Sequence, residues 1–546
     1  MKNHRLIAMA AMTASVALPP CSRTQAFYSA SSLPAVWRCP TTHSTCGISV
    51  PDKTVFSARH RRSSHALDLV FSRRPPRARP VTRMAFDPEV TPGALDAFHS
   101  WLTKSGVKLG DNMALAGRSP LTGGRGLVTT KAVENGQAVL AIPQSLGLTA
   151  SSLKTSGIAK FLGGYEGWTG DTGLIALQLL WEKAQGEGSK MAPWIAVLPQ
   201  TVQDLEMPLF WDDKDLELAD SSSTRGISGF GADVDEDYAW LKENVFDKNP
   251  ETFPAGKFGP DDFRWAVGVV LSRSFFVSGE LRLTPLVDFA NHSSMRGTLE
   301  PTGGTTGLFG STAVVLRAGR DYEEGEEFLV SYGPKGAAGY LEENGFVPPA
   351  SGSEVTCELE FTIPEGDKFF DDKEDILKLQ RLGTTTAFDL TAVGLPDAEL
   401  VRFLRLAFLG SDDAFLLEGI FRAEVWEFMN EPVSRNNEAA VNEYLATRCQ
   451  DELKNFCGSA QEDEEIMTGK TDATPRQRLC AGVRRGERTA LQMTKNWCQT
   501  DSKALDRKEY YQERRLKELQ LDLPYEVDEV YPTDQQVNRV RRDLDW

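Results

Sequence analysis

From Ala94 onward the apolar residues keep a helical period: A-L-x-A-F-x-x-W-L puts Leu95, Phe98 and Leu102 on one face of a short amphipathic helix. Val139 to Ile142 is instead a continuous apolar run, the pattern of a buried strand, and Pro143 ends it. Residues 150 to 270 return mainly to helical spacing. Asp171 is placed to cap T-G-L-I-A-L-Q-L-L-W-E-K, where Leu174, Leu177 and Trp181 fall in register. Asp261 or Asp262 is placed to cap a second helix carrying Val267, Val270 and Leu271. Trp194, Pro199 and Leu209-Phe210-Trp211 are core anchors, and Gly226 to Gly231 reads as a loop.

Thr284 to Val347 breaks into short apolar strands separated by a Gly-rich linker and an acidic turn. After P-P-A-S-G-S, Val355 to Ile363 reads as a strand. From about Asp371 to Lys517 the text is helical, closing with a highly charged, solvated helix over Asp506 to Leu519. No internal repeat is apparent. The fold class is therefore α+β.

At 546 residues the chain has room for two or three domains, and 41% hydrophobic with 25% charged residues is an ordinary globular composition. Charge divides it sharply. Residues 1 to 86 hold 13 Lys and Arg against 2 Asp, leaving 47 basic and 75 acidic side chains in the rest. A body this acidic is a poor candidate for phosphate-backbone binding, so no nucleic-acid partner is expected.

The basic segment opens with Lys2 and Arg5, an apolar run from Leu6 to Leu18, and T-Q-A ending at Ala26. That is the order of a secretory signal, and the run is too short to span a bilayer. Phe27 to about Arg83 is rich in Ser, Arg and Pro, the composition of a transit peptide. In tandem they resemble the bipartite plastid presequences of algae with secondary plastids; the alternative is a disordered basic tail. Removal of the segment implies a plastid stromal protein without a membrane anchor in its mature form, and a monomer is expected. Cytoplasm or nucleus is the alternative location.

Candidate chemistry gathers in three motifs: T-P-L-V-D-F-A-N-H-S (Thr284 to Ser293), E-E-G-E-E-F-L-V-S-Y-G (Glu323 to Gly333) and N-G-F-V (Asn344 to Val347). No nucleophile stands beside a base there. The eight Cys form no C-x-x-C pair, and four of six His precede residue 66, so neither a metal centre nor a disulfide framework is expected. This is the residue set of a group-transfer site in which a cofactor brings the reactive atom. Upstream, T-G-G-R-G-L-V-T-T (Thr122 to Thr130) is a glycine-rich turn able to approach a ligand closely, without a dinucleotide fingerprint.

The order of these motifs resembles a SET domain, and more narrowly the Rubisco large-subunit lysine methyltransferase family, over about residues 94 to 500. The resemblance implies S-adenosylmethionine as cofactor and a protein as substrate, the Rubisco large subunit, fructose-bisphosphate aldolase or another stromal protein. It implies Tyr332 as the catalytic residue at the meeting point of cofactor and acceptor. Gly123, Gly124 and Arg125 would contact the methionyl part. Arg273, in W-A-x-x-x-x-x-S-R, would hold the cofactor carboxylate, unless it only complements the helix dipole there. Asn291 and His292 would hold the adenine. Phe275 and Val287 would shape the acceptor pocket, and Asp288 would serve substrate or structure. The implied layout is a presequence over 1–86, a SET domain over 87–349 with a helical insertion at about 145–270, a helical substrate-binding domain over 350–520 and an acidic tail over 521–546. Asn437 to Cys449, Glu462 to Met467 and Val483 to Leu491 carry the resemblance in the helical part.

Two departures stand out. Gly336-Ala337 follows Lys335 where the family has S-N, and Asn344 stands where it has a second Tyr. The actin-histidine methyltransferases of the family also lack that Tyr. The apolar pair Phe275 and Val287 nevertheless suits the aliphatic stem of lysine, which ranks lysine above histidine, with a silent peptide-binding scaffold as the third reading.

Overall fold

Short apolar runs make short strands, and here they are assembled into two four-stranded sheets. The computed structural model describes residues 90–117, 119, 124–163, 169–219, 227–293, 302–305, 312–333, 335–348, 355–419, 421–422 and 424–521. The expected presequence, Gly123 and the tail after Leu521 lie outside them. The first sheet runs β1 (Lys108–Leu109), β4 (Ala138–Pro143), β9 (Thr312–Arg317), β8 (Thr302–Thr305), all antiparallel. The second runs β2 (Met113–Ala116), β3 (Gly126–Thr129), β10 (Glu327–Val330), β7 (Asn291–His292). Its last pairing, β10 with β7, is parallel, with Leu329 opposite Asn291 and Val330 opposite His292. Every residue of β10 is buried, as a strand covered on both faces must be.

Between β4 and β7 the chain inserts helices α2 (Asp171–Ala184), α3 (Ile227–Leu241) and α4 (Pro260–Arg273), then the hairpin β5 (Ser274–Val277) and β6 (Glu280–Leu283). With α1 (Pro92–Lys104) they share one core with the sheets, in which Phe98, Leu127, Leu177, Trp194, Phe263 and Phe289 are fully buried. The caps differ from expectation. Gly170 is the N-cap of α2, with Asp171 in its first turn, and Gly259 caps α4 while Asp262 reaches back to the Gly259 N–H at 3.0 Å. Both carboxylates still face the positive end of the helix dipole, from inside the first turn. Gly231, expected in a loop, lies within α3.

Helix α5 (Ala337–Asn344) leads to a second core built on the hairpin β11 (Thr356–Thr362) and β12 (Thr385–Thr391), with α6 (Phe370–Leu379), α7 (Ala398–Ala407), α8 (Arg435–Lys454), α9 (Ala460–Met467), α10 (Pro475–Ser502) and α11 (Tyr511–Glu518). Strand β12 is a correction to the all-helical reading of this region. T-T-A-F-D-L-T is β-branched and alternating, and it pairs with β11 along seven residues. The 28-residue α10 carries a capping box, Thr474 with Gln477, and Pro475 at its first position. It meets the inserted region through Arg476, which bonds Asp215 at 2.6 Å, and through Arg484, which bonds Asp463 and the Leu218 carbonyl. The five cysteines among the described residues form no disulfide. Burial pushes Cys449, Cys480 and Cys498 up to about 12, the behaviour of inert core thiols.

Gly345 ends α5 in the left-handed conformation, φ +73°, and a Cβ there would meet the Leu205 carbonyl oxygen at 2.4 Å. Gly136 has a similar φ, +78°, in open space. Gly345→Ala should therefore lower the free energy of denaturant unfolding well beyond the roughly 1–2 kcal/mol of the backbone term alone, which Gly136→Ala should show. Equal losses would exclude the steric account.

Carboxylates crowd where α5 meets the β11–β12 hairpin. Burial, with Glu343 and Glu358 adding, pushes Glu342 up to about 7 from an ordinary 4.5. The folded chain thus keeps a proton that the unfolded chain has already lost between those values, so ionisation costs stability as pH rises through the window. Glu342→Gln should raise the unfolding midpoint at pH 8 and leave it unchanged near pH 4.5; a gain of equal size at both would show that the charge is not responsible.

Candidate functional site

The parallel ladder between β7 and β10 sets the site. Tyr332 follows Val330 by two residues, and its backbone N–H donates to His292 Nδ1 at 3.1 Å. That nitrogen therefore carries no proton, and a neutral His292 has its N–H on Nε2. The Tyr332 hydroxyl donates to the Ala290 carbonyl at 2.9 Å, one residue before Asn291. Two hydrogen bonds, one from the backbone and one from the ring's far end, thus fix Tyr332 against the same short strand.

Aromatic rings enclose this pair. His292 lies 5.1 Å from the Tyr332 ring, 4.5 Å from Tyr340 and 5.8 Å from Phe346. Phe275, from β5, meets Tyr332 edge-on at 5.8 Å. The Tyr340 hydroxyl donates to the Gly333 carbonyl at 2.8 Å, closing the turn after Tyr332. Ring faces and carbonyl oxygens are what a cationic centre and its polarised methyl would meet favourably.

Asn291 and His292 are consecutive on a strand and so point to opposite faces. Asn291 Nδ2 donates to the Arg125 carbonyl at 2.9 Å and to Glu327 Oε1 at 2.7 Å, on the side of the glycine-rich turn. Glu327, 4% exposed, also accepts from the Ser119 hydroxyl. A Cβ on Gly126 would come within 3.0 Å of Ser119 and 3.1 Å of Glu327, so this turn needs a glycine for close approach. Gly124 lies on the same turn, its carbonyl accepting from the Ser119 N–H.

Arg125 turns away from that surface. Its guanidinium is buried beside Asp288, Nη2 to Oδ2 at 2.9 Å, donates to the Val197 carbonyl at 2.7 Å, and lies over the Phe289 ring. What Arg125 presents towards Asn291 is its backbone. The Asp288 carboxylate is fully buried in this pair, a structural position rather than one open to substrate. Arg273, at the end of α4, donates to the Asp288 carbonyl at 3.2 Å. Val287 is fully buried in a single helical turn after Leu286, whose φ of +75° is a strained conformation for a residue with a side chain. Asn344, buried, ties α5 to the Ser272 carbonyl at 3.2 Å and faces Lys335, itself paired with Glu343.

The structure thus brings Tyr332, His292 and Phe275 together, and sets Asn291 with the Gly124–Arg125 backbone on the other side of β7. Sequence reasoning missed Tyr340 and, although it quoted the motifs that contain them, gave no role to Glu327 or Phe346. A lone carboxylate in the apolar run E-F-L-V was the available signal for Glu327. Among the described residues no three His, Cys, Asp or Glu side chains gather in metal-binding geometry.

Comparison with known proteins supplies the family. Residues 364–491 match the Rubisco LSMT substrate-binding family. The chain is 31% identical to the chloroplastic Rubisco large-subunit N-methyltransferase of Nicotiana tabacum, over 80% of this chain and 87% of the relative. It is 32% identical to the chloroplastic fructose-bisphosphate aldolase-lysine N-methyltransferase of Arabidopsis thaliana, over 78% and 87%. It is 24% identical to the actin-histidine N-methyltransferase of Danio rerio, over 68% and 62%. The solved SET domain of LSMT bound to lysine and AdoHcy superposes with a TM-score of 0.66 at 26% identity, covering 83% of this chain and 99% of that one. Similarity of sequence over most of both chains, the matched second domain and the superposition agree, and the chain belongs to the Rubisco large-subunit methyltransferase family of SET-domain, S-adenosylmethionine-dependent protein-lysine methyltransferases.

Proposed function

We propose that this protein methylates the side-chain nitrogen of a lysine on a plastid protein, with S-adenosylmethionine as donor and the Rubisco large subunit or fructose-bisphosphate aldolase as the kind of substrate. The observation that carries the reading is Tyr332, held at both ends on β7 with Phe275 standing edge-on beside it. The chloroplastic relatives and the basic, acid-poor first 86 residues support a plastid address. Residues 87–349 are read as the SET domain with its insertion, and 350–520 as the domain that binds the protein substrate.

The donor supplies an electrophilic methyl on a positive sulfur. The chain supplies position and surroundings. Phe275 is assigned to an apolar wall for the four-carbon stem of lysine, while Val287, fully buried, is not open to it. The Tyr332 ring closes that wall, and the Ala290 carbonyl beside its hydroxyl gives a polar end where an amine can be aimed. Alignment of this kind accounts for much of the acceleration in a direct transfer. An exposed lysine has a pKa near 10.4 and must arrive neutral. Burial among Phe275, Tyr332 and Phe346 favours the uncharged amine. Arg273, at the C-terminal end of α4, is assigned to the donor's carboxylate. The Gly124–Arg125 backbone, fixed by Asn291, is assigned to its methionyl part, and the Asn291–His292 strand to its adenine.

Tyr332→Phe keeps the ring and removes the bond to Ala290. It should lower kcat about 100-fold, the scale of a lost hydrogen bond at a reacting centre, with cofactor affinity by calorimetry changed by less than about twofold. Unaltered turnover would remove Tyr332 from the reaction. The substrate class is tested by incubating stromal extract with isotopically labelled S-adenosylmethionine and locating the label by peptide mass spectrometry. It should lie on lysine; label confined to imidazole would replace the reading with histidine methylation.

A further inference from the structure

Strand β5 separates two spaces. Phe275 faces Tyr332, while the next residue, Phe276, points the other way and is 54% exposed. Phe276 stands on the wall of a cavity of about 400 Å³, large enough for one or two side chains. Its floor is apolar, Val267 and Leu271 from α4 and Leu281 from β6. Its rim is acidic, Asp171 from α2, Asp233 and Asp237 from α3 and Glu342 and Glu343 from α5, and among the described residues no Lys or Arg lines it.

Among the described residues only Glu343 has an ion-pair partner on this rim, Lys335. Asp237 takes a hydrogen bond from the Thr169 hydroxyl at 2.5 Å. Burial, with Asp233 and Glu236 adding, still pushes Asp237 up to about 6, and Glu342 lies at about 7. An apolar floor under an acidic rim fits an aliphatic stem or apolar residue accompanied by a cation.

We propose that this groove is a specificity subsite that holds the substrate segment flanking the methylated lysine and selects an apolar residue next to an arginine or lysine. The inference rests on the methyl-transfer reading above. It follows from the strand. Phe275 and Phe276 are neighbours on opposite faces of β5, and an extended chain advances about 3.3 Å per residue. On that estimate, a segment delivering its lysine to the Phe275 face reaches the Phe276 face within about two to four residues.

The probe is a fluorescein-labelled decapeptide with one central lysine, an arginine three residues before it and a leucine beside the arginine; a matched peptide carries glutamate for arginine. Fluorescence anisotropy on the full chain should show the arginine peptide binding at least tenfold more tightly than its match. Asp233→Asn with Asp237→Asn, which keep side-chain shape, should abolish the difference while cofactor affinity by calorimetry stays the same. In transfer assays with labelled cofactor the same variant should raise KM for the arginine peptide about tenfold. If the double variant loses cofactor binding, Phe276→Ala reads the same groove from a position exposed on the surface. Equal binding of the two peptides, or selective binding that survives both variants, overturns the subsite. Selective binding by the parent chain with no methyl transferred to any lysine, in peptide or extract, overturns instead the transfer reading, and with it the groove's part in methylation.

Discussion

The parallel pairing of β7 with β10 is the constraint on which the site depends. Those strands are two and four residues long, yet their register fixes which residues meet across 40 positions of sequence. A slip of one residue would exchange the faces of Asn291 and His292. The amide would then point at the aromatic cluster and the imidazole at the glycine-rich turn, and both hydrogen bonds of Tyr332 would be lost. A pairing so short cannot secure its own register. It is held by what surrounds it: the fully buried β10, the Glu327–Asn291 bond and the rings of Tyr340 and Phe346.

A second buried interaction holds the floor beneath. Arg125 and Asp288 are both almost wholly inaccessible, and they join the glycine-rich turn to the segment just before β7. Breaking such a pair by removing one partner typically costs about 3–5 kcal/mol, because the other charge is left in a dry interior. The guanidinium also takes up the Val197 carbonyl from the inserted helices, so one side chain orients three parts of the chain. This is why a residue in a motif that resembles a ligand loop has its functional group directed inward.

Much of this was readable from sequence, and the failures have physical causes. The motif order carried the resemblance to the family, because Asn291-His292 and Ser331-Tyr332-Gly333 are short strings legible in the sequence without the fold. Helices α1, α2 and α4 were visible because amphipathic spacing is a local signal. Strand β12 was lost because a seven-residue alternating run inside a charged, Leu-rich region does not announce its partner, β11, some 25 residues earlier. The start of α3 was read as loop because glycines punctuate it, and tertiary burial of Val234 and Leu241 overrode that weak preference. At the site, Phe346 and Tyr340 enter by way of α5, and no local pattern shows that a helix after Tyr332 folds its rings back onto His292. Glu327 was legible in principle, as a charge among consecutive buried positions.

Helix α10 has a consequence for how the molecule fails. At 28 residues it is a rod of about 42 Å, packed on β11 and β12, on α5 and, through Arg476 and Arg484, on the inserted segment. Helix α5 in turn carries Tyr340 into the ring cluster and Asn344 onto the end of α4. Melting of α10 by heat, a protease or a disabling change deep in the second core removes the backing of α5, and the transfer centre loosens without any of its own residues having been touched. Loss of activity and loss of the distal helices are then one cooperative event, so damage far from the chemistry registers as inactivation rather than as altered selectivity.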